Sequence, residues 1–367
     1  MNETRRAGDG EAAEASPAPD LRRTYVIAPN FKRRLSGVTS TIIQLLPLQS
    51  RMTGIAALGP GLPDNLPKLR WWQVPGLLLR PEGKPFRIWH ARRNPEMLAG
   101  IILKHVFRAP LRLVFTSASQ RHHTRYTRWL IRHMDAVIAT SHKSARYLLV
   151  ENTVIMHGVD VDRFSPPADK AEAIRSLGLD PAQRYVGCFG RVRHQKGTDL
   201  FVDTMIRVLP DRPGWSAIIT GRTTASHAEF ESDLRARVEK AGLADRILFL
   251  GERKDIPRYY RALSLFVAPQ RWEGFGLTPL EAMATAVPVV ATDVGAFSEL
   301  IEPGVTGEII PPDDLDAMST AVAGWMDDEE RLARASDAAL GLVHSKFRLE
   351  GEASRILEVY EKLWRMQ

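Results

Sequence analysis

The sequence predicts an α/β protein of two doubly wound, Rossmann-like domains facing a central cleft. Three observations carry that expectation. Short apolar strand-like runs alternate with helical patterns along most of the chain, an order that implies parallel sheets with helices on both faces. The alternation breaks over residues 154–183 and then restarts. At 367 residues the chain has room for two domains of ordinary size.

Residues 1–22 lack the apolar core of a signal peptide and read as a flexible tail. The first domain, 23–165, opens with the strand TYVIAP (24–29) and the helix VTSTIIQLLPLQ (38–49). Strands follow at GIAALG (54–59), RIWHA (87–91), LRLVFTS (111–117) and AVIAT (136–140), with helices at 95–107 and 125–134. Loop residues and paired prolines mark 154–183 as the linker region. The second domain, 166–345, carries strands at 184–192, 215–220, 246–251, 265–269, 288–292 and 307–310. Its helices are expected at 197–209, 227–242, 255–263, 279–286 and 313–326. A last helix from about residue 350 has apolar spacing at Ile356, Leu357, Tyr360, Leu363 and Trp364, and residues 346–367 are expected to pack back toward the first domain. Open sheets of this kind bind ligands at the carboxyl ends of their strands, so a ligand belongs between the two domains.

Composition narrows the class. Hydrophobic content of 44% with 25% charge fits a soluble enzyme. No apolar run approaches the roughly 18–20 residues a membrane span needs. Cys188 is the lone cysteine, which excludes an internal disulfide framework, fits a reducing compartment and makes the cytoplasm the default location; within YVGCFG it reads as a small buried side chain. The net charge is +7, and residues 70–150 hold fifteen Lys/Arg against three Asp/Glu. Such a face suits a phosphorylated substrate, anionic lipid or nucleic acid, or is an ordinary solvated surface. Without zinc-finger spacing or an RNA-recognition signature, nucleic acid is not the expected partner.

The stretch RWEGFGLTPLEAMA (271–284) holds two carboxylates, Glu273 and Glu281, across a turn with Gly274 and Gly276. Glu273 falls just beyond a strand's carboxyl end, with no evident structural partner. Thr278 and Pro279 are good N-cap and N1 residues, so a helix start is predicted there. Its unpaired N–H groups and dipole suit an anion. A second reading competes for Glu281, as the N3 member of a T-x-x-E capping box. GRVRHQKG supplies Gly190, Arg191, Arg193 and Lys196 in a turn after a strand. The His, Asp and Glu spacings suggest no metal site, and the GxGxxG and GxxxxGK[ST] signatures are missing. In the first domain, Lys32, Arg33 and Arg34 precede Gly37, and RIWHARRNPE puts His90, Arg92 and Arg93 at a strand end expected to face the cleft.

The Glu273–Glu281 spacing, with VPVVATDVGAFSELI after it, resembles retaining glycosyltransferases of the GT-B fold in the large family 4. FGRVRHQKGTDLFVD, LGERKDIPRYYRALSLFVAPQRWEGFG and TGEIIPPDDLDAM extend the resemblance over the second half, and ATSHKSARYL and MHGVDVDRF carry it into the first. The resemblance implies that Glu281 holds the nucleotide's ribose hydroxyls and Glu273 a hydroxyl of the donor sugar. Backbone of Gly274, Phe275, Gly276 and Leu277 would lie against sugar and phosphate, with Gly37, Gly190, Gly221 and Arg253 in the same donor-binding set. Arg191 and Lys196 would stabilise the departing diphosphate in place of a metal, catalysing with Glu273. Many relatives carry a histidine where Ala118 falls here; His122 and His123 follow in SASQRHHTRYTRW, and His123 is the candidate substitute.

APNFKRRLSGVTSTI, WHARRNPEM and RWLIRHMDAVIATS are most similar to alphaproteobacterial lipopolysaccharide core mannosyltransferases. That implies GDP-mannose as donor, no cofactor, and an acidic Kdo-containing glycolipid acceptor read by Lys32, Arg33, His90, Arg92, Arg93 and His123. A peripheral contact with anionic membrane at the inner face of the inner membrane is expected through Trp71, Trp72, Leu77, Leu78 and Leu79, beside Arg70 and Arg80; core packing is the competing account of that run. Other readings are a UDP- or ADP-sugar-dependent transferase on another lipid or glycan, a phosphorylase or nucleotide-sugar hydrolase, and a non-catalytic sugar-nucleotide-binding protein.

Overall fold

A computed structural model describes residues 18–33 and 37–366. Residues 1–17, most of the expected tail, and Arg34 lie outside the described residues. The first sheet comprises β1 (Val26–Pro29), β2 (Ile55–Leu58), β3 (Lys68–Leu69), β4 (Arg87–Ala91), β5 (Leu111–Ser117), β6 (Ala136–Ala139) and β7 (Thr153–Val154). The second comprises β8 (Arg184–Phe189), β9 (Trp215–Thr220), β10 (Ile247–Gly251), β11 (Leu265–Ala268), β12 (Val289–Thr292) and β13 (Gly307–Ile310). Strand orders are β3-β2-β1-β4-β5-β6-β7 and β10-β9-β8-β11-β12-β13. The strand pairings are parallel. Each order reverses beside its first strand, β1 or β8, and that switch point opens a crevice at the strand ends.

The central strands read as continuous apolar runs because both faces are covered. β1, β2, β4, β11 and β12 are buried along their whole length. Cys188 is buried on β8, where desolvation pushes its thiol up to about 12. Within the expected linker, the helix Lys170–Arg175 already packs with the second sheet, its Ile174 buried among Tyr185, Phe266 and Leu263.

Some elements have no counterpart in the sequence reading. β3 and β7 are two residues long, too short for any periodicity. The helix Glu329–Lys346 is capped by Asp328, whose carboxylate accepts from Arg331 N. Its buried residues, Leu332, Ala335, Ala339 and Val343, are helically spaced but small, which mutes the apolar signal. Around Trp71–Leu78 the backbone forms a 3₁₀ turn that buries Leu77 completely and leaves Trp71, Trp72, Leu78 and Leu79 exposed. Leu77 is therefore a core residue, not part of the expected lipid-facing run.

The helix Leu349–Arg365 leaves the second domain and completes the first. Leu349, Ala353, Ile356, Tyr360, Leu363 and Trp364 are buried in one cluster with Val26, Ile42, Leu45, Ile55 and Ile88. Buried side chains of this kind contribute about 1.5–3 kcal/mol each. The indole Nε1 of Trp364 donates to Phe86 O at 3.2 Å.

Candidate functional site

β8 ends in the turn that carries the cations. Gly190 has φ 143°, and a Cβ at Gly221 would meet Gly190 O at 1.6 Å, so two glycines let the β8 and β9 exits touch. Arg191 is exposed, and Lys196 closes a 3₁₀ turn, His194–Lys196. Gly197 follows at φ 69°, where a Cβ would lie 1.8 Å from Pro269 O. Arg271 fixes this turn against the β11 exit. Its guanidinium grips Asp199 with both NH groups, at 2.7 and 2.9 Å, and donates to His194 O at 2.6 Å and to Asp313.

That lock brings Lys196 onto Glu273: the ammonium and carboxylate form a half-buried ion pair. The other oxygen of Glu273 accepts from Gly274 N at 3.0 Å. Gly276 has φ 87°, and any Cβ there would strike Phe297 Cε1 at 2.2 Å and Glu273 Cγ at 2.9 Å. At Gly274 a Cβ would come 2.9 Å from Ala118 O, so this loop touches the first domain just beyond β5. Among the described residues, the N–H groups of Phe275, Gly276 and Leu277 find no acceptor.

The helix Thr278–Ala284 begins one residue earlier than expected, with Leu277 as N-cap in helical conformation and no side-chain cap. Glu281 therefore caps nothing; its N–H donates to Leu277 O and its carboxylate accepts from Tyr260 OH at 2.8 Å. The capping-box reading falls because helical backbone at Leu277 moves Glu281 beyond N3. Burial raises the pKa of Glu281, and the Tyr260 bond and Arg163 only partly offset it. Glu281 and Tyr260 line a cavity of about 510 Å³ together with Gly190, Arg191, Gly221 and Arg253. Thr220, Arg222, Thr224 and Glu252 complete its polar wall.

On the first domain, Lys32 and Arg33 are exposed beyond β1, and the space beside Gly37 Cα is open. The HARR cluster does not face the cleft as expected. His90 is fully buried on β4, with Nδ1 2.5 Å from Tyr360 OH and Nε2 2.7 Å from Thr116 Oγ1. Burial, then Arg92, holds its pKa well below the usual value. Arg93 turns inward, donating to Asn30 Oδ1, Glu96 Oε1 and Thr39 Oγ1 at 2.8–2.9 Å. Glu96 is fully buried and also accepts from Arg92 N, so the cluster braces the loop after β1. Arg92 reaches His90 O at 3.5 Å, and desolvation lowers its pKa. Polar side chains after a strand look alike in sequence whether they face a cleft or bond to one another; here the buried Glu96 draws in the Arg93 guanidinium and ties down the backbone of Arg92. His123 is half-buried with Nε2 unpartnered among the described residues, and its pKa is lowered by burial, Arg121 and His122.

Among the described residues no group of three His, Cys, Asp or Glu is arranged to hold a metal ion. The sequence does contain two Asp-x-Asp triplets. Asp160 accepts from Asp162 N and Arg163 N, and Asp314 caps the helix Leu315–Met326. Residues not singled out from sequence are Tyr260, Glu252 and the strand-end Thr220, which line the cavity, and Arg271, which aligns the ion pair. Tyr260 lay in the helix expected at 255–263, within a segment that carried the family resemblance without a role for Tyr260 itself. The arrangement offers carboxylates for hydroxyl groups, cations for a diphosphate, and unpaired backbone N–H groups between them.

Residues 169–340 match the family model described as glycosyl transferases group 1. Over 349 residues the chain is 64% identical to the lipopolysaccharide core biosynthesis mannosyltransferase LpsB of Rhizobium meliloti (strain 1021), covering 94% of this chain and 99% of that protein. Over 346 residues it is 56% identical to the lipopolysaccharide core biosynthesis mannosyltransferase LpcC of Rhizobium leguminosarum bv. viciae, covering 94% and 98%. Its fold matches Anabaena Alr3699/HepE, solved in complex with UDP and glucose, with a TM-score of 0.77 at 20% identity over 92% of this chain and 99% of that one.

Proposed function

The chain belongs to the glycosyl transferases group 1 family, with the GT-B fold, and from that premise we propose a specific reaction. It transfers mannose from GDP-mannose to an acidic, Kdo-containing acceptor of the lipopolysaccharide core, with retention at the sugar carbon and no metal. The observation that supports this most directly is the Lys196–Glu273 pair on the turns next to Arg191 and the helix of Glu281, two residues that line the cavity. The names of the two Rhizobium relatives support the sugar and the pathway.

In this reading the ion pair exchanges partners when the donor enters. A sugar hydroxyl takes the Glu273 carboxylate, the diphosphate takes Lys196 and Arg191, and Glu281 accepts from the ribose. As the glycosyl–phosphate bond breaks, negative charge grows on the leaving diphosphate, and the two cations stabilise it more than they stabilise the ground state. Lys32 and Arg33 supply the positive rim for the acidic acceptor.

Thermal stabilisation by GDP, UDP, ADP and their mannose or glucose conjugates tests the donor, because a ligand of the folded state raises stability by RT ln(1 + [L]/Kd). A shift confined to GDP and GDP-mannose is expected. A UDP or ADP preference removes mannose and the core assignment, and binding without transfer to any acceptor leaves a sugar-nucleotide-binding protein.

No helix among the described residues is long and apolar enough to cross a membrane. Membrane contact in this reading is peripheral, through exposed Trp71, Trp72, Leu78 and Leu79 beside Arg70. Vesicles containing anionic lipid are expected to bind the protein at low salt and release it at high salt; equal binding to neutral vesicles would discard the charge component.

A further inference from the structure

The chain passes between the domains twice, after β7 and before the helix Leu349–Arg365, and the two passages are stitched together. Val159 N donates to Phe347 O at 2.8 Å, and Leu349 N donates back to Val159 O at 3.0 Å. Gly158 allows the approach, since a Cβ there would lie 2.5 Å from Arg348 O. Glu352, 2% exposed, closes the junction with both oxygens: one accepts from Gly158 N at 2.8 Å and the other lies 2.7 Å from His157 Nδ1.

The far face of the His157 ring is what makes this junction more than a seam. It meets the ring of Phe275 edge to face, with centroids 4.8 Å apart and planes at 80°. Phe275 sits between Gly274 and Gly276, in the loop whose N–H groups have no acceptor. Two glycines give that loop wide conformational freedom, so its position rests on what holds the Phe275 side chain. The carbonyl of Phe275 accepts from Ala296 N at 3.1 Å on the second-domain side. His157 holds the ring from the hinge side, and Glu352 holds His157 from a helix that belongs to the first domain's core.

We propose that His157, tethered by Glu352, is a positioning residue for the donor loop: it sets the placement of residues 273–277 from the interdomain hinge. The proposal rests on the reading of that loop as the sugar-facing part of the donor site. Orientation by a few tenths of an ångström at such a loop governs the alignment of Glu273 with its hydroxyl, while the nucleotide end of the donor depends on the Glu281 cavity instead.

The test pairs hydrogen–deuterium exchange of the full-length protein with steady-state kinetics, in His157→Ala and in Glu352→Gln, which keeps the side-chain volume. In His157→Ala, the Gly274 amide, held by Glu273, and the Ala296 amide, held by Phe275 O, are expected to exchange about tenfold faster, with amides of both central sheets unchanged. Glu352→Gln should give the same local pattern at smaller amplitude. With the nucleotide-sugar that the parent protein turns over, kcat should fall about 10–100-fold while the Kd of the free nucleoside diphosphate stays as in the parent. Exchange that is unaltered at Gly274 and Ala296, or faster uniformly across both domains, overturns the proposal, since both outcomes mean a packing role alone. If the parent turns over no nucleotide-sugar, the functional reading fails, and the exchange pattern still decides whether His157 positions the loop.

Discussion

At the residue scale the site is a set of charges held ready for exchange. Lys196 and Glu273 neutralise one another in the absence of ligand, so removing either leaves its partner half-buried and unpaired. In the proposed reaction Lys196→Ala is expected to lower kcat about 10²–10³-fold, the loss seen when one donor to a developing oxyanion is removed, while the nucleoside diphosphate still binds. Isothermal titration beside a turnover assay checks both halves. Glu281 responds to pH because burial raises its pKa above the ordinary glutamate value. In its proposed role Glu281 binds ribose as an accepting carboxylate, so donor KM should begin to rise as pH falls, at a higher pH than an ordinary carboxylate would give. In Glu281→Gln that inflection should vanish from the pH profile of KM. His90 works in the opposite compartment, as a neutral core base. Its folded pKa is depressed, so below about 6.5 the unfolded chain binds the proton that the folded chain refuses, and stability is lost as pH falls. Denaturant unfolding between pH 7.5 and 5 should show this slope, and Tyr360→Phe, which strands His90 Nδ1, should cost about 1–3 kcal/mol at neutral pH.

At the element scale, the catalytic turns are built from glycines at strand exits. Gly197→Ala forces a Cβ against Pro269 O in a left-handed conformation. It is expected to destabilise the fold by more than ~1 kcal/mol and to displace the neighbouring Lys196, which calorimetry and kcat together would reveal. These turns were legible in the sequence because glycine beside a strand end and a cation cluster is a local pattern. So were the long strands, whose apolar runs follow from burial on both faces. Three things were not legible, because the local pattern of residue types is the same for both outcomes. Whether Glu281 caps its helix or faces a cavity turns on one φ/ψ pair at Leu277 and on Tyr260. The HARR cluster looked like a cleft rim because nothing local says that Glu96 will bury itself beneath it. Two of the four residues that the helix Glu329–Lys346 buries are alanines, so its face carries little periodic contrast.

At the scale of the whole molecule, the two domains meet through a small number of polar contacts around the cleft. His142 N and Lys143 N donate to the Glu299 carboxylate at 2.7 and 2.8 Å, and Lys143 pairs with Asp293. Contacts this exposed are individually weak and screened by salt, which suits two bodies that must admit a donor and an acceptor between them. Asp293→Asn is accordingly expected to leave Tm nearly unchanged while altering the salt dependence of donor KM, measured from about 50 to 500 mM salt.

The return of the helix Leu349–Arg365 to the first sheet has a consequence for the order in which the protein is made. The domain whose strands leave the ribosome first lacks Tyr360, Leu363 and Trp364 until the second domain has been made. The second domain, whose own core runs on to Phe347, is complete before its predecessor, which still waits with an open apolar face. During synthesis the older half is thus the immature one, and it is the half that a chaperone would have to shield.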